Sequence, residues 1–125
     1  MIMNKNIRKV WMNGKIVDET EAKISVYDSA LMYGDMVFEM TRSFDKKQFK
    51  LREHIDRLYY GLKILRIPLS VTKDEMEKYC YETIEANEHL FDDDDEHRLM
   101  IDVSRGLLGI YQRIEGLHKG PNLII

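Results

Sequence analysis

The sequence predicts an α+β fold in which an antiparallel sheet carries two helices packed on one face. Short β-prone segments separated by tight-turn signals come first, as in hairpins. Two segments with helical periodicity follow in the middle of the chain, and a further alternating segment comes after them. Because strands and helices are segregated along the chain, an antiparallel sheet is favoured over a parallel α/β sheet.

Each early element has a local signal. Asn13-Gly14 lies between two β-prone segments, residues 10–12 and 15–17, and supplies the two positive-φ positions of a type I′ hairpin turn. Asp28-Ser29 is able to cap one helical turn that ends at Gly34.

A long strand is predicted over residues 36–44, followed by a turn at 45–47 and a return strand at 48–51. The even-numbered residues of the long strand share one face and the odd-numbered residues share the other. Neither face is cleanly polar, so we expect both faces to be covered.

The helices come next. Residues 52–66 form the first, and its buried stripe comprises Ile55, Leu58, Tyr59, Leu62 and Leu65. Thr72 and Glu75 form a capping box that opens the second, which ends near residues 86–87. Its inner face comprises Met76, Tyr79, Cys80, Thr83 and Ile84. Strands are then predicted over 98–105 and from residue 123 to the end, with a loop over 106–120 between them.

Composition narrows the class of protein. The chain has 125 residues, of which 44% are hydrophobic. Its formal net charge of -3 argues against a strongly basic surface that binds nucleic acid. Its one cysteine, Cys80, permits no intrachain disulfide and suits a reducing cytoplasm. No apolar run approaches the roughly 20 residues that span a bilayer, and the N-terminus is too polar for a signal peptide. We therefore expect one cytoplasmic domain.

Arg57 is the first candidate for a binding role. It lies off the main apolar stripe of the first helix, on a face shared with Gly61 and Ile64. Gly61 would let another element approach closely, and a guanidinium there would be able to bind a phosphate or carboxylate. The alternative is an exposed arginine that pairs with Glu53 or Asp56.

Arg42, Arg98 and Arg105 lie within or beside predicted strands. Half-buried arginines need anionic partners. Glu39 and Asp102 would be able to supply them internally, or the arginines would converge on an anionic ligand, and the pattern leaves both hypotheses open. The histidines and the single cysteine have no metal-ligand spacing.

Four stretches together resemble one family, the class IV (fold type IV) pyridoxal-phosphate aminotransferases. This family includes branched-chain and D-amino-acid aminotransferases and aminodeoxychorismate lyase. The stretches are Trp11-Met12-Asn13-Gly14-Lys15-Ile16-Val17, Ser29-Ala30-Leu31-Met32-Tyr33-Gly34-Asp35-Met36-Val37-Phe38-Glu39, Glu53-His54-Ile55-Asp56-Arg57-Leu58 and Val103-Ser104-Arg105-Gly106.

The resemblance implies roles for particular residues. The arginine of the family's His-x-x-Arg-Leu motif binds the cofactor phosphate, which implicates Arg57. Tyr33 and Phe38 match positions that line the substrate pocket. Arg42 matches an arginine of the branched-chain members, and Arg98 matches one that contacts a substrate's side-chain carboxylate. The implied cofactor is pyridoxal 5'-phosphate, the implied substrates are an amino acid, of the branched-chain type, and a 2-oxo acid, and the implied assembly is a homodimer.

The departures from the family pattern also carry information. Met36 replaces a usual glycine, and Met40-Thr41 stands where branched-chain members have Gly-Ile. No lysine here matches the family's Schiff-base lysine, which lies in the C-terminal domain. Residues 1–125 are therefore expected to be the small N-terminal domain of such an enzyme, inactive alone. An aminodeoxychorismate-lyase-like enzyme and a non-catalytic dimerisation module are the alternatives.

Overall fold

A computed structural model describes residues 6–125 of the chain. Its strands are β1 (Lys9–Met12), β2 (Lys15–Asp18), β3 (Met36–Phe44), β4 (Lys47–Gln48), β5 (Arg98–Ser104) and β6 (Asn122–Ile124). Its α-helices are α1 (Ser29–Tyr33), α2 (Leu51–Leu65) and α3 (Lys73–Ala86), with 3-10 turns at Glu19–Glu21, Glu88–Leu90 and Gly109–Tyr111. No helix within the described residues is both long and apolar enough to cross a membrane.

The strands form one sheet of six, in the order β2-β1-β6-β5-β3-β4, and every neighbouring pair is antiparallel. Helices α2 and α3 pack on one face of it. The buried residues of both helices share a single core with inward residues of β1, β5 and β6: Trp11, Ile55, Leu58, Leu62, Met76, Cys80, Leu99, Ile101, Val103 and Leu123. The predicted α+β class is confirmed.

The local turn signals work as expected. Asn13 and Gly14 have φ of 49° and 95°, so the β1–β2 hairpin turns where a type I′ pair was predicted. The Asp28 carboxylate accepts a hydrogen bond from the amide of Ala30 at 2.8 Å, and α1 ends at Gly34, whose φ of 69° lies in the left-handed region.

The helix boundaries follow the sequence closely, with one correction. The Thr72–Glu75 capping box is formed, with both reciprocal hydrogen bonds present at the start of α3. The return strand predicted over residues 48–51 is wrong, because β4 ends at Gln48. Leu51 is instead the first residue of α2 and is buried. It lies four residues before Ile55, so it extends the apolar stripe of the helix.

The end of α3 is tied to the sheet by Asn87. Its side-chain amide accepts from the Lys9 amide at 2.7 Å and donates to the Lys9 carbonyl at 2.9 Å. One carboxamide thus satisfies both backbone groups of a β1 residue, as a neighbouring strand would. Higher on the same helix, the ring of Tyr79 stacks on Trp11 with centroids 4.4 Å apart. Together these contacts fix α3 across β1.

The two faces of β3 differ in a way that the sequence does not predict. Polar residues, Glu39, Thr41 and Ser43, are buried under the helices, whereas Phe38 is 60% exposed. Met40 and Phe44 are exposed on the same side as Phe38. The expectation that both faces are covered is therefore wrong for these residues, because α2 and α3 both pack on the other side.

Candidate cofactor and substrate site

Arg57 lies on α2 and forms a two-point ion pair with Glu39 of β3. Its Nε donates to Oε1 of Glu39 in a short contact, and its Nη2 donates to Oε2 at 2.7 Å. The carboxylate is buried, whereas the Arg57 side chain is 72% exposed. The predicted alternative partners do not pair with Arg57, since Asp56 pairs with Lys73 at 3.0 Å and Glu53 has no ion pair within the described residues.

His54 completes the cluster one turn earlier on α2. Its Nδ1 lies 2.9 Å from Oε2 of Glu39. The hydrogen bond from Arg57 lowers the pKa of Glu39 below its usual value, burial opposes this, and His54 adds to the lowering. Glu39 in turn raises the pKa of Arg57. The carboxylate is therefore ionised at neutral pH and holds the guanidinium in one orientation.

The remaining donors of Arg57 are directed away from Glu39. A guanidinium has five N–H groups in a planar fork, and two of them point at the carboxylate. The other three, on Nη1 and Nη2, belong to a side chain that is mostly exposed. They present a fixed donor edge that suits a phosphate or carboxylate.

Gly61 explains how closely α2 approaches β3. A Cβ built on Gly61 would lie only 2.9 Å from Cγ1 of Val37, which is too close for a real side chain. The predicted close approach at this glycine is confirmed. It places Arg57, one turn earlier on α2, beside the strand that carries Glu39.

The edge of β3 beside this cluster is open over its first half. β4 pairs only with Ser43 and Phe44, so among the described residues no strand pairs with that edge between Met36 and Met40. An open edge exposes backbone donors and acceptors that a protein ordinarily covers. Glu39, the carboxylate partner of Arg57, lies within this unpaired stretch of β3.

The other face of β3 and β5 carries three cross-strand pairs. The register places Phe38 opposite Asp102, Met40 opposite Met100, and Arg42 opposite Arg98. We call these six residues the open-face ladder. All but Asp102, which is half-buried, are exposed. Their mix of apolar and cationic side chains would suit a ligand with both an apolar part and an anionic part.

The two arginines of the open-face ladder differ in their partners. The Arg42 guanidinium lies over the Phe44 ring, 4.0 Å from its centroid, and is 3.9 Å from the Glu96 carboxylate. Arg98 forms no ion pair within residues 6–125. Directly opposed like charges repel, so this end of the ladder would favour an anion.

Glu39 and Asp102, the internal partners considered for Arg42, Arg98 and Arg105, form ion pairs with none of these arginines within residues 6–125. Glu39 pairs with Arg57 and His54 rather than with Arg42, and burial raises the pKa of Asp102, which forms no ion pair within the described part of the chain. Arg105 pairs with Asp35 at 2.5 Å and donates to the carbonyls of Leu65 and Arg66. Arg105 therefore ties the end of β5 to the start of β3 and the end of α2.

Tyr33 is the last residue of α1 and is 69% exposed. The structure brings Phe38, Arg42 and Arg98 together on the open face and places Arg57 on the helix side of β3. Phe38 is the chain neighbour of Glu39, the partner of Arg57, and its side chain lies on the opposite face of β3. Tyr33 lies just before β3, joined to it through Gly34 and Asp35.

Sequence reasoning missed Glu39 and His54 as members of this cluster. Two signals pointed to them. His54 is three residues before Arg57 and so lies on the same helix face. Glu39 shares one face of β3 with Val37 and Thr41, and this is the face that α2 covers.

Other potential sites are less informative. A cavity of about 530 Å³ lies between the end of α3, β1 and β5, and Asn87, His97, Arg98, Met100 and Asp102 are among its lining residues. It includes one of the predicted site residues, Arg98. No group of three or more His, Cys, Asp or Glu side chains able to hold a metal ion is present within residues 6–125. The Cys80 thiol is buried, which raises its pKa to about 12 and leaves it unreactive.

Comparison with known proteins gives consistent results. The family model described as "Amino-transferase class IV" matches residues 36–124. A Methanocaldococcus jannaschii protein, provisionally named a branched-chain-amino-acid aminotransferase, is 51% identical over 79 residues, which cover 63% of this chain and 27% of that protein. An Escherichia coli K12 branched-chain-amino-acid aminotransferase is 39% identical over 82 residues, or 62% of this chain and 26% of that protein.

Solved structures agree with the sequence relatives. The branched-chain aminotransferase from Thermoproteus uzoniensis with norvaline superposes with a TM-score of 0.77 at 30% identity, over 94% of this chain and 39% of that one. A branched-chain amino acid aminotransferase from T.th. with pyridoxamine 5'-phosphate gives a TM-score of 0.75 at 28% identity, over 94% of this chain and 38% of that one. The chain thus spans about a quarter of these relatives' length and about two fifths of these structures.

Proposed function

Because the chain belongs to the class IV aminotransferase family, we propose that it forms the small N-terminal domain of a pyridoxal-phosphate enzyme. The enzyme would move an amino group from an amino acid of the branched-chain type to a 2-oxo acid. The relatives' names and the 38% to 39% of each solved chain that is covered support this assignment. The Schiff-base lysine would lie outside residues 1–125, so these residues alone would not transaminate.

The observation that carries the proposal is the clamped guanidinium of Arg57. Glu39 fixes the plane of its fork through two hydrogen bonds and leaves one edge of donors free. A phosphate monoester carries close to two negative charges near neutral pH and accepts several hydrogen bonds. Arg57 would therefore hold the cofactor phosphate at the open edge of β3. Pyridoxal phosphate, when bound, supplies the electron sink for the reaction at the substrate Cα.

Glu39 has two opposing effects in this arrangement. It orients Arg57 before the phosphate arrives, which lowers the entropic cost of binding. It also offsets the positive charge of Arg57, so the cluster alone attracts a dianion weakly. We therefore propose that further phosphate donors come from the larger domain of the enzyme.

The open-face ladder would supply part of the substrate pocket. Phe38 would contact the substrate's apolar side chain, and Arg42 and Arg98 would attract a carboxylate at the other end of the ladder. Tyr33, exposed at the end of α1, would line the same pocket or that of a partner subunit. The proposed assembly is a homodimer, and the proposed location is the cytoplasm, which suits the single buried thiol of Cys80.

The phosphate role of Arg57 is testable by ligand binding in the complete protein that contains these residues. Pyridoxamine 5'-phosphate and pyridoxamine differ only in the phosphate, and neither needs the lysine to form an imine. We expect Arg57→Ala to weaken binding of pyridoxamine 5'-phosphate about tenfold or more and to leave pyridoxamine binding unchanged. Calorimetric titration measures both.

Two further variants sharpen this test. Arg57→Lys keeps the charge but loses the planar fork, so its affinity should lie between those of the parent and Arg57→Ala. Arg8→Ala, which removes an exposed arginine 4.0 Å from Glu19, is the matched control and should bind both ligands normally. Equal affinity of Arg57→Ala and the parent for pyridoxamine 5'-phosphate would refute the assignment of Arg57.

The reaction itself is tested by incubating the complete protein with leucine, 2-oxoglutarate and pyridoxal phosphate. We expect glutamate and the 2-oxo acid of leucine to appear in equal amounts. A protein that forms neither product, but eliminates a group from aminodeoxychorismate without consuming a 2-oxo acid, is a lyase, and the aminotransferase proposal is then wrong.

A further inference from the structure

His54 is the member of the Arg57 cluster to which the proposed function gives no role. Its Nδ1 lies 2.9 Å from Oε2 of Glu39, and the same oxygen accepts the hydrogen bond from Nη2 of Arg57 at 2.7 Å. An ionised carboxylate only accepts hydrogen bonds, so the ring proton of a neutral His54 is on Nδ1. The other ring nitrogen, Nε2, is therefore the atom at which His54 gains a second proton.

The position of His54 lets its charge act on whatever Arg57 binds. The two nitrogens share one oxygen, so they lie within about 6 Å of each other, a separation at which charges interact appreciably near a protein surface. The His54 side chain is 26% exposed. Water therefore reaches the ring and exchanges protons with it, while partial burial limits the screening of its charge by salt.

The net charge of the cluster depends on the protonation of His54. Arg57 and Glu39 carry opposite charges, so with a neutral His54 the cluster has no net formal charge. A protonated His54 gives it one positive charge. Histidine changes charge between about pH 5 and 8, so this difference falls within the physiological range.

The charged groups around His54 leave this balance unchanged. Helix α2 packs against β3 and α3. From β3, Glu39 faces the helix, whereas Arg42 lies on the opposite face. Glu53 adjoins His54 in the chain and forms no ion pair among the described residues. Lys50 at the start of α2, and the charged side chains of α3 that pair with α2, have partners of their own, in the contacts Lys50–Phe49, Lys73–Asp56, Arg52–Asp74 and Arg52–Glu77.

We propose that His54 is a positioning residue for the cofactor phosphate and that it takes up a proton from water when the phosphate binds to Arg57. This inference rests on the proposed function, because it concerns the phosphate held there. A phosphate monoester with nearly two negative charges stabilises a positive charge beside it, so its binding favours the new N–H bond at Nε2. By linkage, a protonated His54 raises the affinity for the phosphate by the same factor.

Proton uptake by the complete, cofactor-free enzyme tests this directly. Pyridoxamine 5'-phosphate is titrated calorimetrically at about pH 7.5, where its phosphate is largely dianionic, in two buffers that differ in ionisation enthalpy. The difference in heat between the buffers gives the number of protons bound with the ligand. In the parent enzyme we expect this number to exceed that for pyridoxamine, which lacks the phosphate, by about half a proton.

A neutral variant shows whether His54 is the group that takes up the proton. His54→Asn places an amide N–H where Nδ1 stands, so it is able to keep the hydrogen bond to Glu39 but gains no charge. We expect the additional proton uptake to be lost in this variant. His54→Gln is a second neutral replacement if His54→Asn does not fold.

The pH profile of affinity tests the consequence of the proposed proton uptake. As pH falls from about 8 to about 6, the affinity of the parent for pyridoxamine 5'-phosphate, relative to that of His54→Asn, should rise about fivefold. Comparing two proteins with one ligand cancels the titration of the ligand's own phosphate. The matched control is His89→Asn, in the turn after α3, where Nε2 lies 3.2 Å from the Ile7 carbonyl. This variant should follow the parent.

The outcomes separate this inference from the function beneath it. If His54→Asn loses the same fraction of affinity at every pH, His54 supports only the structure of the cluster, and the inference is wrong. A parent that takes up no more protons with pyridoxamine 5'-phosphate than with pyridoxamine refutes it without any variant. A parent that binds both ligands equally tightly refutes the proposed phosphate site, and the inference fails with it.

Discussion

The two faces of β3 combine polarity and burial in the opposite way to those of its neighbour β5, whose helix-side residues Leu99, Ile101 and Val103 are apolar and buried. On the helix side, β3 presents Glu39, Thr41 and Ser43, all buried. On the open side it presents Phe38 and Met40, both exposed. A sheet in water ordinarily buries its apolar face and exposes its polar face. Between Phe38 and Thr41 the β3 strand does the reverse.

Hydrogen bonding explains how the helix side tolerates its polar residues. The Thr41 hydroxyl donates to Oε1 of Gln48 at 2.7 Å, and the Ser43 hydroxyl donates to Glu96 at 3.1 Å while accepting from the His97 amide at 2.6 Å. Glu39 is paired with Arg57 and His54. Every one of these buried groups has a partner, so burial costs little.

On the open side, the exposure of the apolar residues is not explained by contacts within the described residues. Its apolar side chains are contiguous across two strands, which is typical of a binding surface rather than of isolated exposed residues. The difference between the faces teaches that the buried polar residues of β3 are satisfied by partners within the domain, whereas Phe38, Met40 and Met100 remain exposed among residues 6–125.

The largest expected effect is on the free energy of unfolding, and it is seen by comparing truncations of two adjacent β5 residues that point to opposite faces. Ile101 is fully buried and Met100 is 41% exposed. We expect Ile101→Ala to lower the free energy of unfolding by about 2–5 kcal/mol, because it leaves a cavity in the core. Met100→Ala should change it by roughly 0.5 kcal/mol or less. Urea denaturation of the chain measures both.

A large loss of stability in Met100→Ala would contradict this comparison. It would mean that the open face is already covered, for example by self-association, and the loss would then depend on protein concentration. Repeating the denaturation at several concentrations separates the two cases.

A smaller effect on the free energy of unfolding is expected from breaking the ion pair between Arg57 and Glu39. Arg57→Ala leaves the buried Glu39 carboxylate with His54 as its remaining partner, so we expect a loss of about 1–3 kcal/mol, the cost of a buried polar group that loses one partner. Glu39→Gln should destabilise less, because the exposed Arg57 is rehydrated when its partner is lost. The double variant should be no less stable than Arg57→Ala, since the unpaired charge is gone.

Thermal unfolding of the three variants and the parent gives the order of their stabilities. Glu39→Gln being more damaging than Arg57→Ala would show that the Arg57 side chain, rather than the Glu39 carboxylate, is the group whose isolation is costly. In that case the clamp would not hold a preformed phosphate anchor.

Sequence signals were sufficient for most of the fold. Asn13-Gly14 sets the first hairpin and the Thr72–Glu75 box sets the start of α3, because these are short-range rules that depend on a few adjacent residues. The end of β4 was missed because Leu51 suits a strand and a helical stripe equally well. Only its contact with the core of the protein decides between them.

The site was less predictable, for a physical reason. Helical periodicity shows which face Arg57 occupies but not which partner reaches it, and Glu39 is 18 residues away in the chain. Strand alternation likewise separates the two faces of β3 without showing which one the helices cover. The ladder partner of Met40, Met100, depends on the β3–β5 register, which no local signal fixes.

The smallest expected effect is on the pH dependence of stability, which should differ between a carboxylate on the helix side and one on the open side. Glu39 has a pKa lowered by its Arg57 hydrogen bond, so it stabilises the fold above the ordinary glutamate pKa of about 4.3. That stability is lost as pH falls through the folded pKa. Asp102, opposite Phe38, has a pKa raised by burial, so it destabilises the fold when ionised, and stability is regained as pH falls through its folded pKa.

The two isosteric variants should therefore change the acid side of the stability profile in opposite directions. Glu39→Gln should make the loss of stability below about pH 5 shallower, because it removes a group that must be protonated. Asp102→Asn should raise stability at neutral pH and make the acid loss steeper, because it removes a compensating gain. The test is the urea midpoint of each variant, measured at intervals between pH ~3 and ~7. If the slope of midpoint against pH changes in the same direction for both variants, Glu39 and Asp102 do not have the opposite effects on stability that we expect.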